Sequence, residues 1–417
     1  MLQDRRKNYL KEVVSPSLSF FYSGHAPHLS NDAYYHFKVN NNFYYLSGID
    51  QEDAILLIAK AHGIEESYLF IQAVDPEMAL WVGETLTFEK ASEISGIKLE
   101  NVRDIKTFDT FVGQLFSQTR RSIFGNVETV YFDVERQRAT DEPLLGERKA
   151  KQFLDKYPFV TLKNARPILS NLRSVKDEVE IEAVKGAIEI SRKANLHLLD
   201  KLKYAKNEFE LEAEYNYVLN MNNTVPSFGS IIASGKNGTI LHYEDNNQPL
   251  HHGDLVLFDL GVRYKYYASD ISRTYPLNGK FTDRQKEVYQ AVLNVNKEII
   301  KWAKPGMTQF EYNQKGVELL TREAKRIGLI KEDKDIVKYY YHGLGHPLGL
   351  DVHDVADPRV PFKAGQIITV EPGLYIAEEG IGIRIEDDLL LTENGCINLS
   401  ESILKEVDEI ESYLAKK

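Results

Sequence analysis

The chain has 417 residues, 51 Lys and Arg against 62 Asp and Glu, a net charge of −11, and 43% hydrophobic residues with 24 Tyr and 19 Phe. This length fits two ordinary domains, the apolar content excludes a disordered or fibrous chain, and the acidic balance argues against gripping polyphosphate, so nucleic acid is not an expected partner. The single Cys396 and a charged start, MLQDRRKNYL, set the expectation of a reducing, cytoplasmic setting, while apolar runs such as Ala54 to Ala59 fall short of the ~20 residues that span a bilayer.

In chain order, Ala54 to Ala59 and Ser67 to Ala73 read as short buried strands, and Phe88 to Ser95 and Phe108 to Gln118 as helical pieces. Asn101 to Ile105 and Glu128 to Phe132 read as further strands, which makes the N-terminal domain α/β. No glycine-rich phosphate loop follows any of them, so no nucleotide is expected there. Around Asn164 to Ser174 the pattern breaks. A long helix follows, with a capping box of Ser174 and Asp177 and with Val175, Val179, Ala183, Ala187, Ile190 and Ala194 at helical spacing. The boundary lies there, giving domains over 1–168 and 169–417. Beyond it, helices are expected over Glu208 to Met221, Asp283 to Ala303 and Gln309 to Ile327, alternating with strand pairs in an α+β pattern. An amphipathic stripe of Ile403, Val407, Ile410 and Leu414 closes the chain on a helix that packs on the second domain.

Those strand pairs carry acidic residues in apolar surroundings. In LVLFDLGVRYKYYASDISRTYP, residues 255 to 276, a turn centred on Tyr264 and Lys265 would set Asp259 directly opposite Asp270, with Cβ atoms roughly 5 Å apart on one face. Two like charges there are costly unless a cation lies between them or one is protonated. Satisfaction by the hydroxyls of Ser269 and Ser272 is the competing reading. HGLGHPLGLDVHD, residues 342 to 354, then places His342, His346 and His353 in a segment whose glycines and Pro347 forbid a regular helix. Three of only 11 histidines within one short loop favour a site, since neutral imidazole suits several divalent metals. Further on, Glu371 ends an apolar strand at Pro372, and in IGIRIEDDLLLT the alternation puts Arg384, Glu386 and Asp388 on one face. An Arg384 to Glu386 salt bridge and a solvated strand end at Asp387 and Asp388 are the plainer alternatives.

Four carboxylates and one imidazole bring a charge of about −4, which balances two divalent cations. Oxygen-rich ligation with one nitrogen favours Mn²⁺, with Zn²⁺, Co²⁺ and Fe²⁺ as alternatives. Ions ~3.5 to 4 Å apart can hold a bridging hydroxide and polarise a carbonyl, so a hydrolytic reaction is expected.

The order and context of LHYEDNNQPL, FDLGVRYKYYASDISRTYP, HGLGHPLGLDVHD, TVEPGLY and GIGIRIEDD resemble the pita-bread metallopeptidases, which include aminopeptidase P, prolidase and methionine aminopeptidase. The resemblance implies that Asp259, Asp270, His346, Glu371 and Glu386 bind two ions. Asp270 and Glu386 would bridge them, Asp259 would complete one, and His346 and Glu371 the other. Glu371 would also assist proton transfer. His242 and His353 match outer histidines that steady the scissile carbonyl and the tetrahedral intermediate, and His342 and Arg384 match supporting residues. RRKNYL, YYHFKVNNNFYYLSGID and DPEMALWVGE resemble the N-terminal domain of aminopeptidase P and its closest prolidases, which methionine aminopeptidases lack. In aminopeptidase P that domain narrows the cleft and mediates oligomer contacts. A homodimer or homotetramer is therefore implied, with Trp81 reaching a neighbour's substrate pocket or, alternatively, serving as a core or domain-interface aromatic.

The resemblance thus implies an Xaa-Pro aminopeptidase, which releases the N-terminal residue of peptides with proline second. Such a bond lacks an N–H, so the site must accept the pyrrolidine ring and still place the carbonyl. The alternative is a prolidase restricted to dipeptides, whose HGLGH form this chain shares. A non-catalytic binding module or a creatinase-like hydrolase on the same scaffold predicts lost ligands, and none is missing.

Overall fold

Ile55–Ala61 and Ile64–Ile71 pair as a hairpin across His62 and Gly63, both left-handed at φ 51° and 83°, the backbone that a tight two-residue turn requires. The computed structural model describes residues 1–117, 122–136 and 138–416. It divides into two units, Met1–Arg173 and Ser174–Lys417.

In the first unit the hairpin lies within a six-stranded sheet. Its order is Val102–Asp104, Ile64–Ile71, Ile55–Ala61, Ser17–Tyr22, Thr129–Phe132 and Thr161–Asn164, antiparallel at the centre and parallel at both margins. Phe20 stacks on Phe132 with ring centroids 5.1 Å apart and meets Phe153 at 5.0 Å, which gives this α/β unit an aromatic core of its own. Ser17–Tyr22 escapes a pattern search because it is buried along nearly its whole length and shows no alternation. The helix expected from Phe108 runs Phe108–Leu115, and Gln118 lies outside the described residues.

The segment read as a break is instead a helix, Arg166–Ser174, so the expected boundary after residue 168 falls inside it. Ser174 ends that helix and cannot cap the next. The capping box on Glu178–Lys201 is made three residues on, by Asp177 with Glu180, and Val179 is 52% exposed while Ala183, Ala187, Ile190 and Ala194 are buried. In the second unit every strand pair among the described residues is antiparallel, and the helix pairs Glu178–Lys201 with Glu208–Met221 and Asp283–Trp302 with Gln309–Arg326 pack against the sheets. This is the expected pita-bread arrangement of an α+β unit. The closing helix is Val407–Ala415. Ile403 is buried ahead of it, in a turn rather than on its stripe, and Lys417 lies outside the described residues. No helix among the described residues is long and apolar enough to cross a membrane.

Candidate metal centre

Asp259 lies in Leu255–Leu260, whose other side chains enter the core. Its partner strand is Ile271–Pro276, in a register that sets Asp259 against Ser272 rather than Asp270. The turn centres one residue later than expected, on Lys265 and Tyr266, which take the left-handed backbone at φ 48° and 73°. Moving the centre by one shifts the pairing by two, which preserves the face. Asp259 and Asp270 therefore meet diagonally, on one side, and both line a cavity of about 500 Å³.

Asp270, His346 and Glu386 each offer a ligand atom within 4.8 Å of the others. His346 Nε2 lies 3.4 Å from Asp270 and 3.7 Å from Glu371. Its other nitrogen, Nδ1, is 3.0 Å from the Pro347 carbonyl, which accepts the ring proton and leaves Nε2 with a lone pair toward the carboxylates. Thr369 brackets the residue, since its hydroxyl accepts the His346 N–H at 3.1 Å and its N–H donates to the His346 carbonyl at 2.8 Å. Glu371 follows the strand Ile367–Val370 and donates its N–H to Leu344, binding the strand end to the glycine-rich loop. Glu386 sits where the run read as one strand breaks, between Ile381–Arg384 and Asp387–Leu391. It donates its N–H to the Ser272 carbonyl at 3.0 Å, and its Oε2 accepts from the Ser272 hydroxyl at 2.7 Å.

One buried oxygen on each of Asp259, Asp270 and Glu386 has no hydrogen-bond partner. Serine hydroxyls do not satisfy the two aspartates: Ser269 bonds Ser191 and Val262, and Ser272 serves Glu386 and Arg384. Burial, and after it Glu386, raises the Asp270 and Glu371 carboxyls well above their ordinary values, and burial with Asp259 pushes Glu386 up to about 7. Carboxylates that repel one another and keep open oxygens fit divalent cations. Asp259 and Glu371 line the same cavity but fall outside the tight trio.

Arg384 does not pair with Glu386. It donates to Asp259 at 2.6 Å, to the Ser272 hydroxyl at 2.8 Å and to Tyr375 at 3.0 Å. Nor are Asp387 and Asp388 a solvated strand end, for both are 0% exposed. Asp387 meets Arg273 and Lys405, and Asp388 accepts the Asp270 N–H at 3.2 Å. His342 bonds Tyr375 at 2.8 Å, and burial with Arg384 nearby lowers its pKa to about 4. The His353 ring lies 4.0 Å from that of His346, and its loss of water together with His346 and His242 also lowers it to about 4. His242 lines the cavity beside them. Trp81 is 85% exposed on the helix Pro76–Val82, which excludes the core reading. Ser272, Tyr375 and Asp388 join the site through contacts across more than one strand, and only Asp388 left a trace in the alternation.

The sequence pattern of metallopeptidase family M24 matches residues 182–393, and that of the aminopeptidase P N-terminal domain matches 2–124. The chain belongs to metallopeptidase family M24. Among M24 relatives, the Xaa-Pro aminopeptidase of Haemophilus influenzae is 32% identical, with 99% of this chain and 96% of that protein covered. A solved candidate aminopeptidase P from Bacillus anthracis is 41% identical over 100% of this chain and 98% of its own, with a TM-score of 0.95. A zinc-substituted aminopeptidase P of Escherichia coli in complex with product is 30% identical over the same shares, with a TM-score of 0.88. This M24 chain is a metallo-aminopeptidase with the two-domain architecture of aminopeptidase P.

Proposed function

We propose that the chain is an Xaa-Pro aminopeptidase acting on peptides with proline in second position, with Asp259, Asp270, His346, Glu371 and Glu386 holding two divalent ions. The open, buried oxygens of Asp259, Asp270 and Glu386 beside His346 Nε2 carry this reading. Bound divalent ions would supply Lewis-acid polarisation of the carbonyl and acidify a water. The ligand chemistry, four carboxylates to one imidazole, favours Mn²⁺.

The chain's own residues do the rest. Arg384 orients Asp259 by holding one carboxylate oxygen and leaving the other free. Glu371, whose proton affinity burial raises, takes the proton of the attacking water and returns it to the proline nitrogen as the bond breaks. His353, neutral at pH 7, and His242 present ring N–H groups to the oxygen on which charge develops. His342 fixes Tyr375 and thereby Arg384. Phe228, Ile231, Leu241 and Val352 give the cavity an apolar wall suited to a pyrrolidine ring. Exposed Leu80 and Trp81 support assembly into a homodimer or homotetramer with Trp81 near a neighbour's substrate, and the single cysteine fits a cytoplasmic setting.

The test is release of the first residue from an Xaa-Pro dipeptide and a matched Xaa-Pro tetrapeptide, using metal-stripped protein with and without Mn²⁺. Metal-dependent cleavage of both is expected. Cleavage of the dipeptide alone would make the chain a prolidase. The variant D270A should bind less metal, stay folded and lose roughly a thousandfold in kcat, the size of several kcal/mol of charge stabilisation.

A further inference from the structure

Glu208 opens the helix Glu208–Met221, and the residue is 0% exposed. A buried carboxylate ordinarily faces a cation. Among the described residues no Lys, Arg or His pairs with Glu208, and hydrogen-bond donors converge on it instead. Oε1 accepts from the Ser234 N–H at 2.8 Å, the Ser234 hydroxyl at 2.7 Å and the Asn237 amide at 3.0 Å. Oε2 accepts from the Tyr243 hydroxyl at 2.8 Å and the Gln248 N–H at 3.0 Å. All of these donors belong to one stretch, 234–248, which saturates the roughly four acceptor sites of a carboxylate.

That stretch carries His242 into the cavity. His242 is exposed at the cavity and its ring makes no hydrogen bond to another described residue, so its place depends on the backbone that carries it. The next residue, Tyr243, points the other way, 8% exposed and packed with Ile231, Ala233, Leu257 and Tyr375, and its hydroxyl ends on Glu208. The same stretch abuts the strand of Arg384: a Cβ on Gly382 would lie 1.9 Å from the Gly238 carbonyl oxygen.

We propose that Glu208 is a positioning residue for the peptidase reaction, whose carboxylate fixes the 234–248 stretch and, through Tyr243, the place of His242 in the cavity. This rests on the reading of His242 as a donor beside the scissile carbonyl. A donor held in place before the charge develops stabilises it more than one that must be ordered during the reaction.

The chemistry of Glu208→Gln makes the proposal specific. The new NH₂ is tolerated best at the Oε2 position, where the Tyr243 hydroxyl can turn and accept but the Gln248 N–H loses its acceptor. The Ser234 and Asn237 contacts survive, so the side of the loop that carries His242 loosens. In E208Q, kcat is expected to fall roughly tenfold, the scale of one charge-assisted hydrogen bond, with KM and metal per chain unchanged. Y243F removes the hydroxyl that donates to Glu208 and faces the Asn247 backbone, and should fall in the same direction.

Two readouts separate positioning from simple destabilisation. In the double variant E208Q/H242A, activity should fall no further than in H242A alone, whereas independent effects would multiply. In histidine ring NMR of metal-free protein without substrate, the His242 signal should shift or broaden in E208Q and Y243F. That of His197, bonded to Glu214 on the helix that Glu208 opens, should stay unchanged. Multiplying losses, or an undisturbed His242 ring in both variants, would overturn the proposal. Failure of the wild-type chain to cleave Xaa-Pro peptides would sink the substrate assignment instead, and the ring signals would still decide where Glu208 acts.

Discussion

Asp387 and Asp388 are neighbours in sequence, equally buried, and opposite in electrostatics. Burial alone would raise both carboxyls. Arg273 at 2.7 Å, with Lys405, instead holds Asp387 well below the usual range, while Asp388, beside Glu386, is raised. Replacing Asp387 by Asn leaves two buried cations without their anion, and a loss of about 3–5 kcal/mol in a denaturant titration is expected. The sign with pH follows from the folded state holding the lower pKa: this contribution is full above the ordinary 3.8 and is lost as pH falls below it, so D387N should show a flatter acid dependence. His342 contributes in a higher window. Its pKa is lowered from 6.5 to about 4, so in the metal-free chain the stability that His342 contributes should be lost as pH falls from 6.5 toward 4, and H342Q should remove that share of the slope while His353, lowered in the same way, keeps its own.

At the scale of elements, the site depends on close backbone approaches that only glycine allows. A Cβ on Gly345 would lie 2.1 Å from the Thr369 carbonyl oxygen, in the strand that brackets His346. G345A should therefore push the His346 loop off Ile367–Val370 and lower metal affinity by at least tenfold in a competition titration, with helix content retained. Much of this architecture was legible from local pattern. Phe88–Ser95 and Glu208–Met221 fall where the spacing puts them, and the first is bounded by the Thr87 cap and by left-handed Gly96. The carboxylates stood out because charge in an apolar strand needs a reason. What could not be read is what forms across distance: Ser272 joining Glu386 to Arg384, Tyr375 joining His342 to Arg384, and Glu208 holding Tyr243. The hairpin register was missed because Lys265 and Tyr266 take left-handed turn positions where glycine or asparagine usually signals the turn.

For the whole molecule, each unit has its own hydrophobic core, aromatic in the first and built on helices and strands in the second. The candidate ligands all belong to the second. Calorimetry should therefore show Mn²⁺ raising one unfolding transition and leaving the other in place, with about 2.7 kcal/mol of stabilisation at a hundredfold excess over Kd. The order of the ligands along the chain carries a consequence for synthesis. Asp259, Asp270, His346 and Glu371 leave the ribosome before Glu386, whose N–H and carboxylate both bond back to Ser272. A nascent or prematurely released chain ending before residue 386 carries the first unit and most of the candidate ligands without Glu386. On the proposed ligand set the site is completed late in translation, and a released fragment ending before residue 386 should show no metal-dependent peptidase activity.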